Sequence, residues 1–195
     1  MVVIKIGGSL KSTIYIKKWI DEIKLNRNTS FLLIFGGGEY ANNIRIEQKE
    51  KEYSDLKAHE YAIEAMRKYT KENLIYLENF KIVKSIYDIK NCYKNKKNFV
   101  WMPSVKEVNS FNIPRNWDAT SDSIALAISE KIKSPLLIIK SLRFNKKKYI
   151  NSFFLKKNIV DKYFSENYLH SQNKISIASR EKSYKLREIC NYLLE

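Results

Sequence analysis

Two kinds of hydrophobic pattern alternate along the chain. Short, continuous apolar runs read as buried strands: Val2-Val3-Ile4-Lys5-Ile6, Phe31-Leu32-Leu33-Ile34-Phe35, Phe99-Val100-Trp101-Met102, Pro135-Leu136-Leu137-Ile138-Ile139 and Ile175-Ser176-Ile177-Ala178. Leu74-Ile75-Tyr76-Leu77 is a weaker strand candidate, and Pro103 stops the run at 99–102. Between these runs the apolar positions spread to helical spacing. Helices are expected over 11–24 (with Ile14, Ile16, Ile20 and Ile23 apolar), 39–48, 57–69 (with Ala62, Ala65 and Met66), 85–92, 121–131 and 180–194. Ser9 is placed to cap the first, and the Thr120-Ser121 turn precedes the fifth. Residues 143–174 are polar and basic and follow neither period.

Strands that are apolar on both faces, each followed by a helix, predict an α/β fold. The expected architecture is a three-layer αβα sandwich with a mostly parallel central sheet covered by helices on both sides. With no internal repeat and no low-complexity linker, residues 1–195 are expected to form a single domain.

Composition narrows the function classes. At 195 residues and 44% hydrophobic, the chain can bury one core. It has no run of 18 apolar residues for a membrane span, and its start, Met1-Val2-Val3-Ile4-Lys5, lacks the regions of a signal peptide. Cys92 and Cys190, far apart in sequence, indicate neither a disulfide framework nor a cysteine metal site, so a cytoplasmic location is expected. The net charge of +15 points toward polyanions. Yet Lys, Asn, Ile and Tyr are abundant throughout, as AT-rich coding sequence produces, and the lysine excess reads as a solvated surface. Neither nucleic acid nor membrane is expected as a partner.

Glycine changes the picture most. All five glycines fall in two clusters, Gly7-Gly8 and Gly36-Gly37-Gly38, each directly after an apolar run. Ligands in open parallel sheets bind at the carboxyl ends of strands. Glycine there lets anion oxygens reach backbone N–H groups, and the following helix adds the positive end of its dipole. Two such units could hold two phosphates; the alternative is a pair of tight strand–helix turns. Neither cluster is a Walker or dinucleotide fingerprint. Lys5 shares a strand face with Val3 and Gly7, and at the buried end of a strand its ammonium needs a charged partner, a phosphate or a carboxylate. The third element is Trp117-Asp118-Ala119-Thr120-Ser121-Asp122-Ser123. Its hydroxyls could cap a helix or contact a ligand, and Asp122, in the first helical turn, could hold Lys5 and a second lysine in position. Arg45 could fork onto an anion, or pair with Glu39 or Asp122.

Val3-Ile4-Lys5-Ile6-Gly7-Gly8-Ser9-Leu10, the strand with Gly36-Gly37-Gly38, and Asp118-Ala119-Thr120-Ser121-Asp122-Ser123-Ile124-Ala125 occur in an order and spacing that resemble the amino acid kinase superfamily. Within it, Gly36-Gly37-Gly38-Glu39-Tyr40-Ala41-Asn42-Asn43-Ile44-Arg45, His59-Glu60-Tyr61-Ala62-Ile63-Glu64-Ala65-Met66 and Trp117 resemble the short branch of (5-(aminomethyl)furan-3-yl)methyl phosphate kinases of methanofuran synthesis. The resemblance implies transfer of the γ-phosphoryl group of ATP, with Mg²⁺, to a small phosphorylated substrate; the alternatives are an amino acid or nucleotide acceptor, or an inactive anion- or nucleotide-binding homologue, and the exposed helices point to a homo-oligomer. The resemblance implies catalytic roles for Lys5, Asp122 and Lys140, and nucleotide contacts from Gly7, Gly8, Ser9, Thr120, Ser121 and Ser141. Acceptor contacts would come from Gly36, Gly37, Gly38, Glu39, Asn42, Arg45, His59 and Trp117, with no metal held by protein ligands alone. Residues 1–130 would carry the acceptor and phosphate loops, and 131–195 a reduced nucleotide side. The superfamily's usual Thr-Asp-x-Asp-Gly segment is replaced here by Lys140-Ser141-Leu142-Arg143, and the loop near 178 lacks glycine.

Overall fold

β1 (Val2–Ile6) lies at the centre of a six-stranded sheet, with β2 (Phe31–Phe35) on one side and β5 (Leu136–Lys140) on the other. The computed structural model describes residues 1–8, 10, 13–92, 97–142 and 159–195. β3 (Lys81–Val83), β4 (Phe99–Trp101) and β6 (Ile175–Ser179) complete the order β3-β4-β2-β1-β5-β6, and every pairing is parallel. β1, β2 and β4 are buried at every residue, which is why they read as continuous apolar runs with no alternation.

The helices form the two outer layers. α3 (Asp55–Asn73), α4 (Ile86–Cys92), α5 (Val105–Asn109), α6 (Ser121–Lys131) and α7 (Lys162–Asn167) cover one face of the sheet; their core includes Val3, Leu32, Ile63, Met66, Ile89, Val108, Ile124 and Phe164. α1 (Thr13–Leu25) and α8 (Leu186–Leu194) cover the other, over Val2, Ile4 and Ile6. α2 (Gly38–Lys51) has no buried residue and leans on α3. Lys5 shares the parity of Val3, so its side chain enters the α6 layer.

The three-layer parallel architecture is as expected, with local differences. Leu74–Tyr76 is a 3₁₀ turn closing α3, and Leu74 and Leu77 pack under the α1 layer. The strand of that region is β3, whose Lys81 and Ile82 are exposed. An edge strand of three residues, paired on one side, carries too little apolar pattern to be read. α1 buries Ile16, Trp19, Ile20 and Ile23, an i, i+3, i+4, i+7 stripe that leaves Ile14 in solvent. The last helical segment begins as a 3₁₀ stretch, Arg180–Lys185. α5 and α7 were not expected. Ser9, Arg143 and the lysines at 146–148, 156 and 157 lie outside the described residues.

Candidate active site

The carboxyl ends of β1, β2 and β5 meet the N-terminus of α6. Lys5 leaves β1 and Lys140 ends β5, and parallel register (Lys5 opposite Ile138) puts both side chains on the same face. Between them stands Asp122 from the first turn of α6. Lys5 Nζ is 2.8 Å from its Oδ1, and Lys140 Nζ is 2.5 Å from its Oδ2. Lys5 and Asp122 are buried, each 3% exposed, and the Lys140 side chain is 13% exposed. Burial pushes the Asp122 carboxyl up, but the ammoniums of Lys140 and Lys5 outweigh it and hold the group at about 2. Burial also lowers Lys140, with Asp122 opposing and Lys5 reinforcing the shift.

This cluster holds two ammoniums and one carboxylate. The neighbouring carboxylate, Asp161, is committed elsewhere. Its Oδ2 accepts from Thr120 N (2.9 Å), Thr120 Oγ1 (2.8 Å) and Ser123 N (3.1 Å), and its Oδ1 accepts from Phe164 N (2.9 Å) and Ser123 Oγ. Asp161 thus caps α6 and α7 together. Thr120, expected to contact nucleotide, spends its hydroxyl on this cap. No local sequence signal marks Asp161, which lies 41 residues from Thr120.

The glycines are explained by close approach. A Cβ on Gly8 would lie 2.0 Å from Gly38 N, and one on Gly36 would lie 2.8 Å from Gly8 N and 3.1 Å from Ser121 Oγ. The two loops therefore touch, backbone on backbone. Gly38 also has φ +57°, in the left-handed region, with the Tyr69 ring against it. Gly7 N donates to Ile139 O (3.0 Å) and Gly36 N to Ile6 O (2.9 Å). These two N–H groups extend the sheet ladder, so the expectation that both donate to phosphate is corrected. Gly8, Gly37 and Gly38 instead line a cavity.

That cavity, about 160 Å³, opens between α2, α3 and the start of α6. It gathers Asn42, Arg45, His59, Trp117, Thr120 and Ser121 from the expected set. The Arg45 guanidinium lies 4.4 Å from the centroid of the Trp117 ring and stacks on it, in place of the pairing with Glu39 or Asp122 that the sequence left open. Trp117 Nε1 donates to Gln48 Oε1 (2.6 Å), fixing the ring. His59 is 4% exposed; burial and then Arg115 lower its pKa, so the imidazole is neutral. Glu39 lies apart from this cavity, in a second one of about 460 Å³ lined also by Tyr40, Tyr69 and Glu72. Ser141 follows Lys140 at the end of β5.

Among the described residues, no group of three or more His, Cys, Asp or Glu could hold a metal ion, and no helix is long and apolar enough to cross a membrane. The two lysines suit a phosphate: a second anion would balance the buried ammonium that Asp122 leaves over. A magnesium ion would have to be held largely by nucleotide oxygens and water, as is usual for it.

No protein-family profile matches the chain. A curated relative from Methanocaldococcus jannaschii, [5-(aminomethyl)furan-3-yl]methyl phosphate kinase, is 29% identical over 144 residues. The match covers 71% of this chain and 64% of that protein, so the chain spans a little under two thirds of the relative's length. Among solved structures, UMP kinase from Ureaplasma parvum superposes with a TM-score of 0.69 at 16% identity, covering 96% of this chain and 93% of that one. Uridylate kinase from Archaeoglobus fulgidus gives 0.67 at 14% identity, covering 93% and 92%. An isopentenyl phosphate kinase gives 0.60 at 13% identity, covering 92% and 91%. The curated relative shares sequence over 71% of the chain, and the solved structures share its fold, which is that of amino acid kinase-fold proteins.

Proposed function

We propose that the protein is an ATP-dependent small-molecule kinase that phosphorylates a phosphomonoester, with (5-(aminomethyl)furan-3-yl)methyl phosphate as the best single acceptor. The observation that carries this reading is the juxtaposition of two ammoniums on one buried carboxylate with a ring-sized cavity holding a stacked arginine. The two share the Gly7-Gly8 turn and the Ser121-Asp122 step: a Cβ on Gly7 would stand 3.9 Å from Lys5 Nζ, while Gly8 and Ser121 line the cavity.

Cavity size favours a small acceptor. About 160 Å³ is close to the roughly 150 Å³ that accommodates a benzene ring. A phosphorylated five-membered ring suits that space better than a nucleoside monophosphate. Arg45, preset against Trp117, presents a fork for the acceptor phosphate. Lys5 and Lys140, aimed by Asp122, meet the charge that develops as an acceptor oxygen bonds to the γ-phosphorus. The bond to the β,γ-bridging oxygen breaks, and ADP leaves with the electron pair. No base is needed, because the attacking oxygen is already anionic. The curated relative's name supports the furan phosphate as acceptor.

The test is ADP release from Mg-ATP with a panel of the furan phosphate, uridylate, isopentenyl phosphate, glutamate and acetylglutamate. Turnover is expected with the furan phosphate. Arg45→Ala should raise the acceptor KM by about 10-fold or more while leaving that for ATP nearly unchanged. Turnover with an amino acid and with no phosphomonoester would refute the assignment.

A further inference from the structure

The wall that α3 gives to the acceptor cavity is His59, Ala62, Ile63 and Met66, an i, i+3, i+4, i+7 stripe. Three of these side chains are apolar, so an acceptor's carbon frame can lie against them. His59 alone offers that wall a polar atom. The Asn116 backbone acts on the ring in the sense that favours its charged form, and Nε2, buried, has no hydrogen-bond partner among the described residues. Buried polar atoms without partners are uncommon and costly, and His59 is one of the residues lining the cavity.

The tautomer follows from the partner. The Asn116 interaction favours the charged imidazole, so the ring donates N–H there to a carbonyl oxygen. A neutral ring that donates at Nδ1 carries a lone pair at Nε2. That lone pair repels a phosphate oxygen and attracts a hydrogen. The acceptor phosphate is thereby kept off the α3 wall and left to Arg45 and the glycine loops.

We propose that His59 is a specificity-determining residue whose Nε2 accepts a hydrogen bond from the acceptor, so that the substrate class is a small phosphomonoester carrying a hydroxyl or amine. This rests on the acceptor reading of the same cavity. A site with a buried lone pair discriminates against an analogue that leaves it unmatched.

The experiment compares three acceptors: (5-(aminomethyl)furan-3-yl)methyl phosphate, its hydroxymethyl counterpart and its methyl counterpart. The wild type should favour the amine or the hydroxyl over the methyl compound by about 10- to 100-fold in kcat/KM. His59→Phe should bring that ratio close to one, whatever the absolute rates become, and His59→Gln, with a carbonyl acceptor, should restore part of it. A preference that survives unchanged in folded His59→Phe, or no preference in the wild type, overturns the proposal. Should no compound be turned over, the kinase reading fails by itself. Calorimetric binding of the three phosphates to the wild type then decides His59: preferential binding of a donor-bearing compound supports it, and equal binding overturns it. Should His59→Phe not fold, ¹⁵N-histidine NMR of the wild type decides: Nε2 must be the unprotonated nitrogen, and a proton on it overturns the proposal.

Discussion

Replacing Asp122 by Asn removes one charge and almost no volume from the cluster that links β1, β5 and α6. At 2.5 and 2.8 Å, with an effective dielectric constant of about 20, each lysine–carboxylate attraction is worth about 6 kcal/mol before the cost of burial. Desolvation offsets much of that, and breaking a buried pair usually costs about 3–5 kcal/mol. The variant should lose about that much from a total that is about 5–15 kcal/mol for a domain. The wild-type pH dependence has a definite sign. Asp122 titrates at about 2 in the folded protein against an ordinary 3.8, so its contribution, about 2 kcal/mol, is fully present above pH 4 and lost as pH falls toward 2. The variant lacks this acid-sensitive component. It has instead two facing ammoniums, and Lys140, already lowered, falls further. Its stability should rise as pH increases from 7 toward 10, where the unfolded chain binds more protons. Urea unfolding followed through buried Trp19 and Trp101 reads both effects. Tripolyphosphate should raise the Tm of the variant more than that of the wild type, because it meets one more unpaired positive charge. A variant within 1 kcal/mol of the wild type at pH 7, or one that loses stability from pH 7 to 10, would refute the ion-pair argument.

Lys5→Ala should leave the fold in place and cut kcat by about two to three orders of magnitude, the scale for losing a preorganised charge donor; an unchanged kcat removes Lys5 from the chemistry. Gly8→Ala places a Cβ 2.0 Å from Gly38 N, so the two loops must part; a loss of about 1–3 kcal/mol is expected, with a raised acceptor KM, and a wild-type melting curve would show that the loops do not touch. Asp161→Asn keeps the shape but turns an acceptor of five hydrogen bonds into a weaker, partly donating group; thermal melts should show a loss of about 1–3 kcal/mol, and no loss would remove Asp161 as the joint cap of α6 and α7.

What the sequence disclosed follows from the range over which its signals act. Strand parity alone put Lys5 on the face of Val3, and a carboxylate in the first turn of the 121–131 helix was a natural partner. The structure joins them at 2.8 Å. Lys140 came only with the family resemblance; that it shares the face of Lys5 follows from the parallel register of the structure. Asp161 and Gln48 were not legible. They act on Thr120 and Trp117 across 41 and 69 residues, and nothing near either of them announces a cap or a ring clamp. Glu39 shows the limit within a single motif. It is next to Gly38 in sequence, yet the turn of α2 sends it to the second cavity, with Tyr40 and Glu72, while Asn42 and Arg45 line the first.

The glycine clusters required a choice between packing and anion binding, and the structure divides them. Gly7 and Gly36 give their N–H groups to the sheet, and Gly36 is also held to glycine by the backbone of Gly8 and by Ser121. Gly8, Gly37 and Gly38 border the cavity, and Gly8 and Gly38 are at the same time the point where the loops meet. One physical demand therefore serves two ends. Loops without side chains can close on each other, and closing brings the turn beside Lys5 against the turn that leads to Arg45. A side chain at the contact would separate the charge cluster from the cavity it is proposed to serve, so the packing explanation of these glycines is a condition for the chemical one.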